Sequence, residues 1–400
     1  MNVLFVASQA PNPTANGGAQ RLYHHVRALA SRHDVTLAFV AAGPDIPPSA
    51  ELNRMCKRVV HLHTKVRRLS HNGVGLPPAT RLVDLVRSPR PRYIAEWRAP
   101  DLTAQLRTLR AEARVDATWV ARAYMASVAG AAGIRADVVD VDDIDSEAFG
   151  RRLDTIGSYR SRPIDEAERI KIRAYEWALT FRHRAVVVCK EEDRRFFAHP
   201  ARCHVVPNGA DIPADPGLGE PPQFDFLFLG TMSYWPNIDA ARWFANSVLP
   251  IIRHEEPAAS FCVAGRSAAS FGPQLAHIEG CRVVSDPVEV ADVYHRANVV
   301  VVPMRQGSGT CIKTIEALGF EKPLVVTPQG SEGLGLIDGQ QAMIAGDASR
   351  FARACISALR ERDSSAAMAQ RGRRYVLDRF DWDTCAGRAV DLLEAVAHHG

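Results

Sequence analysis

The sequence predicts an α/β fold of two doubly wound domains, each a parallel sheet with helices on both faces. Its 400 residues exceed what one compact core usually holds, so two domains are expected. Apolar strand-like runs alternate with helical stretches along both halves, which is typical of parallel sheets. A connector rich in proline, glycine and acids, residues 212–224, separates the two series.

The first domain is predicted to span residues 1–208. Its strands are expected at 3–7, 35–41, 117–122, 137–142 and 185–189. Its helices are expected at 19–32, where apolar side chains recur at helical spacing, and at 169–183. The neighbouring histidines His24 and His25 are expected on the surface of the first of these helices.

The second domain is predicted to span residues 209–380. Its strands are expected at 226–230, 260–265, 282–285, 299–303 and 324–327. Its helices are expected at 238–252, 288–296, 311–319, 349–362 and 366–380. Residues 381–400 are expected to form a separate final helix at 385–398.

The composition, 46% hydrophobic and 24% charged, is that of a soluble globular protein. No apolar run approaches the ~18–20 residues that span a bilayer, and the amino terminus lacks the basic region of a signal peptide. Eight scattered cysteines without Cys-x-x-Cys spacing indicate reduced thiols in the cytoplasm and no metal site.

The net charge of +4 is unevenly distributed along the chain. Residues 54–114 carry fourteen Lys or Arg against four acids. Such a segment can face an anionic acceptor or the inner face of a membrane, or it can be a solvated surface. Nucleic acid is not expected as a partner, because no recognition motif accompanies the charge.

Residues 299–333 read as a strand, a glycine-rich loop, a helix and a second strand. Gly307 and Gly309 let backbone N–H groups approach a ligand, and a helix amino terminus favours an anion such as a diphosphate. Lys313 adds a positive charge, and Glu316, about one turn later, can accept two hydrogen bonds from a ribose diol. The segment therefore predicts a nucleoside diphosphate site.

Four other segments end predicted strands with glycine or charge. Gly17 and Gly18 lie between the first strand and first helix, and Gly230 ends strand 226–230. Arg266 follows strand 260–265, and four acids crowd residues 139–146. The glycines can bring backbone close to a diphosphate or simply make turns. The acids can bind a metal, act as a base, hold a hydroxyl or form a polar loop.

These segments resemble GT-B glycosyltransferases, most closely the retaining glycosyltransferase family 4. That family usually carries two Glu residues, with seven residues between them, in the carboxyl-terminal segment. The second Glu matches Glu316. At the position of the first Glu this sequence has Ser308, which departs from the family pattern. Residues 205–211 also resemble the family's entry to its second domain. The resemblance implies two Rossmann-like domains facing across a cleft, with the last helix crossing back to the first. It implies donor contacts from Gly17, Gly18, Gly230, Arg266, Ser308, Gly309, Thr310, Lys313 and Glu316.

The resemblance also implies a reaction: transfer of a sugar from a nucleotide diphosphate sugar to an acceptor hydroxyl, with retention of configuration. The catalytic residues implied are Asp142, Arg266 and Lys313. Arg305 is a further candidate for holding the donor's phosphates. Asp142 stands roughly where many members have a histidine. The leaving phosphate is expected to act as base, without metal or cofactor.

The implied acceptor is a glycan, a lipid-linked sugar or a small molecule, with peripheral membrane association possible. Polysaccharide, glycoconjugate or natural-product biosynthesis is the implied setting. A GT-B nucleotide-sugar epimerase and a non-catalytic subunit of the same fold stay open as alternatives.

Overall fold

The computed structural model describes residues 1–40, 50–64, 78–112, 114–156, 162–217, 221–307 and 309–398. The chain divides into two compact units. Unit 1 comprises Met1–Pro207 together with Cys385–Gly400, and unit 2 comprises Asn208–Thr384. The sequence had placed the first boundary one residue later, after residue 208, and the last segment four residues earlier, at 381.

Within the described residues, unit 1 contains a seven-stranded parallel sheet in the order β3-β2-β1-β4-β5-β6-β7. The strands are β1 Asn2–Ala7, β2 Asp34–Val40, β3 Arg58–Leu62, β4 Ala117–Ala121, β5 Val138–Asp142, β6 Ala185–Val188 and β7 Cys203–Val205. The helices are α1 Gly17–Ala30, α2 Ala50–Met55, α3 Pro78–Arg87, α4 Arg92–Trp97, α5 Pro100–Glu112, α6 Ala123–Ala131, α7 Asp145–Ile156, α8 Arg162–Trp177 and α9 Leu179–Arg182.

Unit 2 contains, in its described part, a six-stranded parallel sheet in the order β10-β9-β8-β11-β12-β13. The strands are β8 Phe224–Leu229, β9 Phe261–Gly265, β10 Cys281–Ser285, β11 Ala297–Val302, β12 Leu324–Val326 and β13 Met343–Ile344. The remaining helices are α10 Trp235–Trp243, α11 Leu249–Glu255, α12 Gly272–Leu275, α13 Val290–His295, α14 Ile312–Gly319, α15 Ala348–Arg360, α16 Arg362–Leu377 and α17 Trp382–His398. Short 3-10 helices cover Glu191–Phe196, Pro200–Arg202 and Ala268–Ser270.

Two details depart from the regular pattern that the sequence predicts. The helix expected at 238–252 is divided into α10 and α11 by one π-helical turn, Phe244–Val248. The last helix, α17, contributes Ala389, Val390 and Leu393 to the same apolar cluster as strand β1. No helix in the described part of the chain is both long and apolar enough to cross a membrane.

Helix α1 shows how local sequence fixes an element and what it buries. Its N-cap residue is Asn16, whose Oδ1 accepts a hydrogen bond of 3.1 Å from the backbone N–H of Ala19. The face turned toward the sheet includes Arg21, His24 and His25, each at most 1% exposed. The expectation that the two histidines are surface residues is therefore wrong.

Both sheets have a point where the strand order reverses. In unit 1 the chain runs outward from β1 to β3 and returns on the other side with β4; in unit 2 the same reversal separates β8 from β11. In open parallel sheets, ligands bind outside the carboxyl ends of the strands at such a point. The loop that holds Gly230 begins at one of these strand ends, and so do the loops that lead into α1, which carries Gly18, and α14, which carries Lys313.

Candidate functional site

The side chains of Asn237 and Lys313 both lie against Gly230, at the carboxyl end of β8. A Cβ on Gly230 would lie 2.8 Å from Asn237 Nδ2 and 2.9 Å from Lys313 Cε. The neighbouring Gly265, with φ of +126°, lies so close to Gly230 that a Cβ there would be 2.4 Å from its carbonyl oxygen. Glycine at both positions lets Lys313 of α14 reach across to the end of β8.

The loop before α14 places backbone and hydroxyl groups at the start of that helix. Thr310 is 7% exposed, and its Oγ1 has no hydrogen-bond partner among the residues the structure describes. The first N–H groups of a helix lack intrahelical acceptors and carry partial positive charge. Ser308, predicted to contact the donor, lies outside the described residues. An anion is the ligand that these donors and Lys313 favour.

Glu316 lies one turn into α14 and accepts a hydrogen bond of 3.3 Å from Tyr294 Oη of α13. Burial raises the pKa of Glu316 to about 7, although the charge of Lys313 and the Tyr294 hydrogen bond act in the opposite direction. The carboxyl group therefore changes its protonation near neutral pH. A ligand that donates hydrogen bonds to it favours the charged form.

The two arginines considered for the phosphates differ in their surroundings. Arg266 is exposed directly after β9, and its backbone oxygen accepts a hydrogen bond from Met232 N. Arg305 donates two hydrogen bonds to Asp239, at 3.1 and 2.5 Å, so its charge is already neutralised within unit 2. Arg266 stays a prediction as a catalytic and donor-binding residue.

In unit 1, the acids that end β5 are held by buried arginine. Arg21 of α1 is 1% exposed and forms hydrogen bonds of 2.8, 2.9 and 3.1 Å to the carboxylate of Asp140. Its Nη1 donates to the carbonyl oxygen of Val206 at 2.9 Å, and His25 Nδ1 lies 3.2 Å from Asp140 Oδ2. Burial would raise the pKa of Asp140, but Arg21 and His25 outweigh it and hold that pKa below its usual range.

Asp142, predicted as a catalytic residue, is buried and paired with a second arginine. Arg122 Nη2 lies 2.6 Å from Asp142 Oδ2, and Cys189 Sγ donates to Oδ1 at 3.1 Å. Both Arg122 and Asp142 have left-handed backbone, with φ of +80° and +62°, a cost that often accompanies functional sites. The catalytic role of Asp142 stays a prediction, and its carboxylate is already occupied by this pair.

The glycine loop of unit 1 lies against the same arginine. A Cβ on Gly18 would stand 2.7 Å from Arg122 Nη2, so glycine at this position makes room for the guanidinium at the start of α1. Gly17 is the first residue of that helix. The loop therefore combines a helix amino terminus with a cation, and the donor contacts of Gly17 and Gly18 stay predictions.

A second pair of acids in unit 1 is shifted toward the protonated form. Burial and the charge of Asp145 raise the pKa of Glu176, and burial raises that of Asp145. Glu176 accepts a hydrogen bond of 2.5 Å from Ser146 Oγ, and Asp145 accepts one of 3.0 Å from Tyr93 Oη. Among the described residues, no group of three or more His, Cys, Asp or Glu side chains is arranged to hold a metal ion.

Part of the basic segment 54–114 is neutralised by ion pairs inside unit 1. Lys57 Nζ lies 2.7 Å from Asp34 and Arg81 Nη1 lies 2.5 Å from Asp165, and both of these acids lie outside the segment. Lys65, Arg67 and Arg68 lie outside the described residues. The excess of positive charge in the sequence therefore overstates the charge that this part of the surface offers to a partner.

Sequence reasoning missed two residues of the unit 2 site. Tyr294 contacts Glu316 from another helix, 22 positions away, and nothing in the sequence marks it. Asn237 immediately precedes the helix predicted at 238–252 and carried no functional prediction. Its place soon after the glycine that ends β8 is the signal that could have drawn attention to it.

Known structures share this architecture. Sucrose-phosphate synthase from Thermosynechococcus elongatus matches with a TM-score of 0.72 and 15% identity, covering 100% of both chains. Anabaena Alr3699/HepE in complex with UDP-glucose matches with a TM-score of 0.66 and 14% identity, covering 99% of this chain and 100% of that one. The fold is GT-B, as the sequence predicted.

Residues 223–361 match the family model described as Glycosyl transferases group 1. Over these residues, which lie in unit 2 of the GT-B fold, the chain is similar to the group 1 glycosyl transferases. This match spans a little over a third of the chain and includes Gly230, Lys313 and Glu316. A curated protein of Klebsiella pneumoniae, described as an uncharacterized 44.6 kDa protein in cps region, is 22% identical over 375 residues, which are 89% of this chain and 90% of that protein. The predicted resemblance to GT-B glycosyltransferases is confirmed, while family 4 membership and retention stay predictions.

Proposed function

We propose that this protein transfers a glycosyl group from a nucleoside diphosphate sugar to an acceptor hydroxyl, with retention of configuration. One observation carries the proposal: the unpartnered Thr310 hydroxyl, Lys313 and Glu316 lie along the start of one helix, α14, beside the strand reversal of unit 2. The arrangement offers donors and positive charge to a diphosphate, and a carboxylate to a ribose. The UDP-glucose bound by the structurally similar Anabaena protein supports a nucleotide sugar as ligand.

The division of roles follows from the order of groups along α14. The N–H groups at Gly309 and Thr310, with Lys313, would bind the diphosphate at the helix amino terminus. Glu316 would accept hydrogen bonds from the two ribose hydroxyls about one turn further on. The distance from helix start to Glu316 suits a ligand whose phosphates and ribose are directly joined.

The reaction would need no nucleophile from the protein. The bond between the anomeric carbon and the β-phosphate oxygen breaks, and the acceptor oxygen forms a bond to the same face of that carbon. The acceptor's proton passes to the departing phosphate. Lys313 and the helix amino terminus would stabilise the negative charge that develops on the diphosphate, which is commonly the largest contribution available to an enzyme.

We infer a cytoplasmic setting, in polysaccharide, glycoconjugate or natural-product assembly. The eight cysteines, all among the described residues, form no disulfide, and six of them are buried, which suits a reducing compartment. The acceptor would be a glycan, a lipid-linked sugar or a small molecule.

A donor screen tests the function directly. The wild-type protein and Glu316→Ala are mixed with UDP-, GDP-, dTDP- and ADP-sugars, with and without EDTA, and followed by thermal shift and by slow sugar release. We expect one base to raise the Tm of the wild type and to be hydrolysed whether or not EDTA is present. Glu316→Ala should bind that donor about 10- to 100-fold more weakly, because hydrogen bonds to a charged group contribute about 1.5–3 kcal/mol.

An exposed acid of the same unit provides the control. Asp363→Ala removes a carboxylate from the surface of α16 and should leave donor binding unchanged. If no donor stabilises or is turned over by the wild type, the transferase proposal fails. If Glu316→Ala folds and keeps full affinity and turnover, the assignment of Glu316 to the ribose fails.

Donor affinity should depend on pH through Glu316. Because its pKa in the folded protein is raised to about 7 from about 4.5, the free protein holds a proton there at pH 6 and releases it by pH 8. A ribose that donates hydrogen bonds prefers the carboxylate, so affinity for a nucleotide sugar should rise roughly tenfold from pH 6 to pH 8. Calorimetry in buffers of different ionisation enthalpy should show proton release on binding.

Two controls isolate this titration. A nucleotide sugar has no phosphate group that titrates between pH 6 and 8, so the ligand itself adds no slope. Glu316→Gln should bind with flat pH dependence over that range. An equally steep slope in the glutamine variant would assign the titration to another group.

A further inference from the structure

Asn237, on the first turn of α10, has a buried side-chain amide, and only one of the two polar atoms of that amide has a hydrogen-bond partner among the described residues. The side chain is 2% exposed. Its Nδ2 donates a hydrogen bond of 2.9 Å to the carbonyl oxygen of Thr231. Because a carbonyl only accepts, this contact fixes the orientation of the amide. Oδ1 is then left without a hydrogen-bond partner among the described residues.

This amide lies at the proposed donor site. Its Nδ2 and Cγ lie 2.8 and 3.0 Å from the position that a Cβ on Gly230 would take, and Lys313 Cε lies 2.9 Å from the same position. Two residues earlier, Trp235 Nε1 is another buried polar atom without a partner among the described residues. A buried acceptor that folding leaves unpaired is costly, and it requires an explanation such as a ligand that supplies the hydrogen.

The chemistry of Oδ1 limits which part of a nucleotide sugar it can touch. Phosphate oxygens are acceptors as well, so Oδ1 cannot hydrogen-bond to the diphosphate, which Lys313 attracts. The ribose hydroxyls are taken by Glu316, further along α14. The hydroxyls that remain, next to the diphosphate, are those of the sugar to be transferred.

We propose that Asn237 determines sugar specificity, with Oδ1 accepting a hydrogen bond from one hydroxyl of the transferred sugar. This inference rests on the proposed function. Asn237 would act on the bound sugar and not on the nucleotide, so its removal should separate the affinities for a nucleotide sugar and for the corresponding nucleoside diphosphate. If Asn237 only stabilised the β8–α10 loop through its hydrogen bond to Thr231, its removal would weaken the binding of both ligands equally.

The test compares Asn237→Ala with the wild-type protein by calorimetry, using the donor found in the screen and its nucleoside diphosphate. We expect affinity for the nucleotide sugar to fall about tenfold, the effect of one lost hydrogen bond, while affinity for the nucleoside diphosphate changes less than twofold. Asn298→Ala, which removes an amide from β11 where it donates to Asp225 at 3.2 Å, is the matched control and should alter neither affinity.

A second measurement combines the variant with altered donors, and its first half uses the wild-type protein alone. Wild-type protein is titrated with donors that each lack one sugar hydroxyl, and one of these should bind about tenfold more weakly. The same donor should show no such loss with Asn237→Ala, since the two changes remove one interaction. Equal losses for nucleotide sugar and nucleoside diphosphate, or additive losses in this cycle, would overturn the inference alone. Failure of the wild type to bind any nucleotide sugar would overturn the proposed function as well.

Discussion

Replacing Lys313 by methionine is expected to lower kcat for glycosyl transfer about 10²- to 10³-fold, the usual effect of removing one group that stabilises charge in a transition state. Methionine keeps the apolar stem that lies over Gly230, so the packing at the end of β8 should survive. What is lost is the positive charge beside the departing diphosphate. Single-turnover kinetics with saturating donor separates this effect on the chemical step from weaker binding.

Two further variants test whether the loss of positive charge at this position causes the lower kcat. Lys313→Arg retains the charge but brings a larger head group to a site that Gly230 and Asn237 already crowd, so an intermediate rate is expected. Arg282→Met removes an exposed cation from β10 of the same unit and should leave kcat unchanged. A Lys313→Met protein that transfers sugar within threefold of the wild-type rate would remove Lys313 from the catalytic group.

Replacing Arg21 by methionine should destabilise unit 1 by about 3–5 kcal/mol, because it leaves the carboxylate of Asp140 buried without its partner. Hydrogen exchange of peptides that cover β1, α1 and β5 measures this loss without assuming that the two units unfold together. Exchange protection there should fall about 10²- to 10³-fold at pH 7. Peptides of unit 2 should keep their protection.

The pH dependence of the exchange protection and a double variant test whether the unpaired charge of Asp140 causes the loss. Arg21 holds the pKa of Asp140 below its usual range, so in the wild type this pair stabilises unit 1 above pH 4 and the contribution is lost only in stronger acid. Without Arg21, burial raises the pKa of Asp140, so its carboxyl group takes up a proton more readily. The loss of stability of unit 1 relative to the wild type should therefore become smaller as the pH falls from 7 toward 5. Arg21→Met with Asp140→Asn should recover much of the lost protection. No recovery would show that packing of the arginine stem matters more than its charge.

The central strands of both sheets could be predicted because they are nearly unbroken apolar runs. Strand β11 is the plainest case, and β1, β5 and β8 are located within two residues of their predicted ends. The region of β3 and helices α2 to α5 was not divided into elements at all. All of those elements except α5 have ten residues or fewer, and β3 is a partly exposed strand at the edge of the sheet, so no long apolar run marks the region.

The unit 2 site could be predicted where its groups lie in one segment. Lys313 and Glu316 lie three positions apart in α14, so helix geometry places them on one face, and Thr310 lies just before the N-cap residue of the same helix. The partners of Asp142 could not be found in this way. Arg122 lies 20 residues away, directly after the neighbouring strand β4, and Cys189 lies 47 residues away, so only the fold brings them to the carboxylate.

Unit 1 is built from two separate stretches of chain, and this has a consequence for its synthesis. A ribosome completes all of unit 2 before it makes the part of α17 that follows Thr384, where Val390 and Leu393 share an apolar cluster with Phe5 and Val26. The first segment must therefore wait, with that apolar surface uncovered, while nearly two hundred later residues are added. The nascent chain at this stage is the form of the protein most exposed to aggregation, and a chaperone that covers the β1–α1 surface would act there.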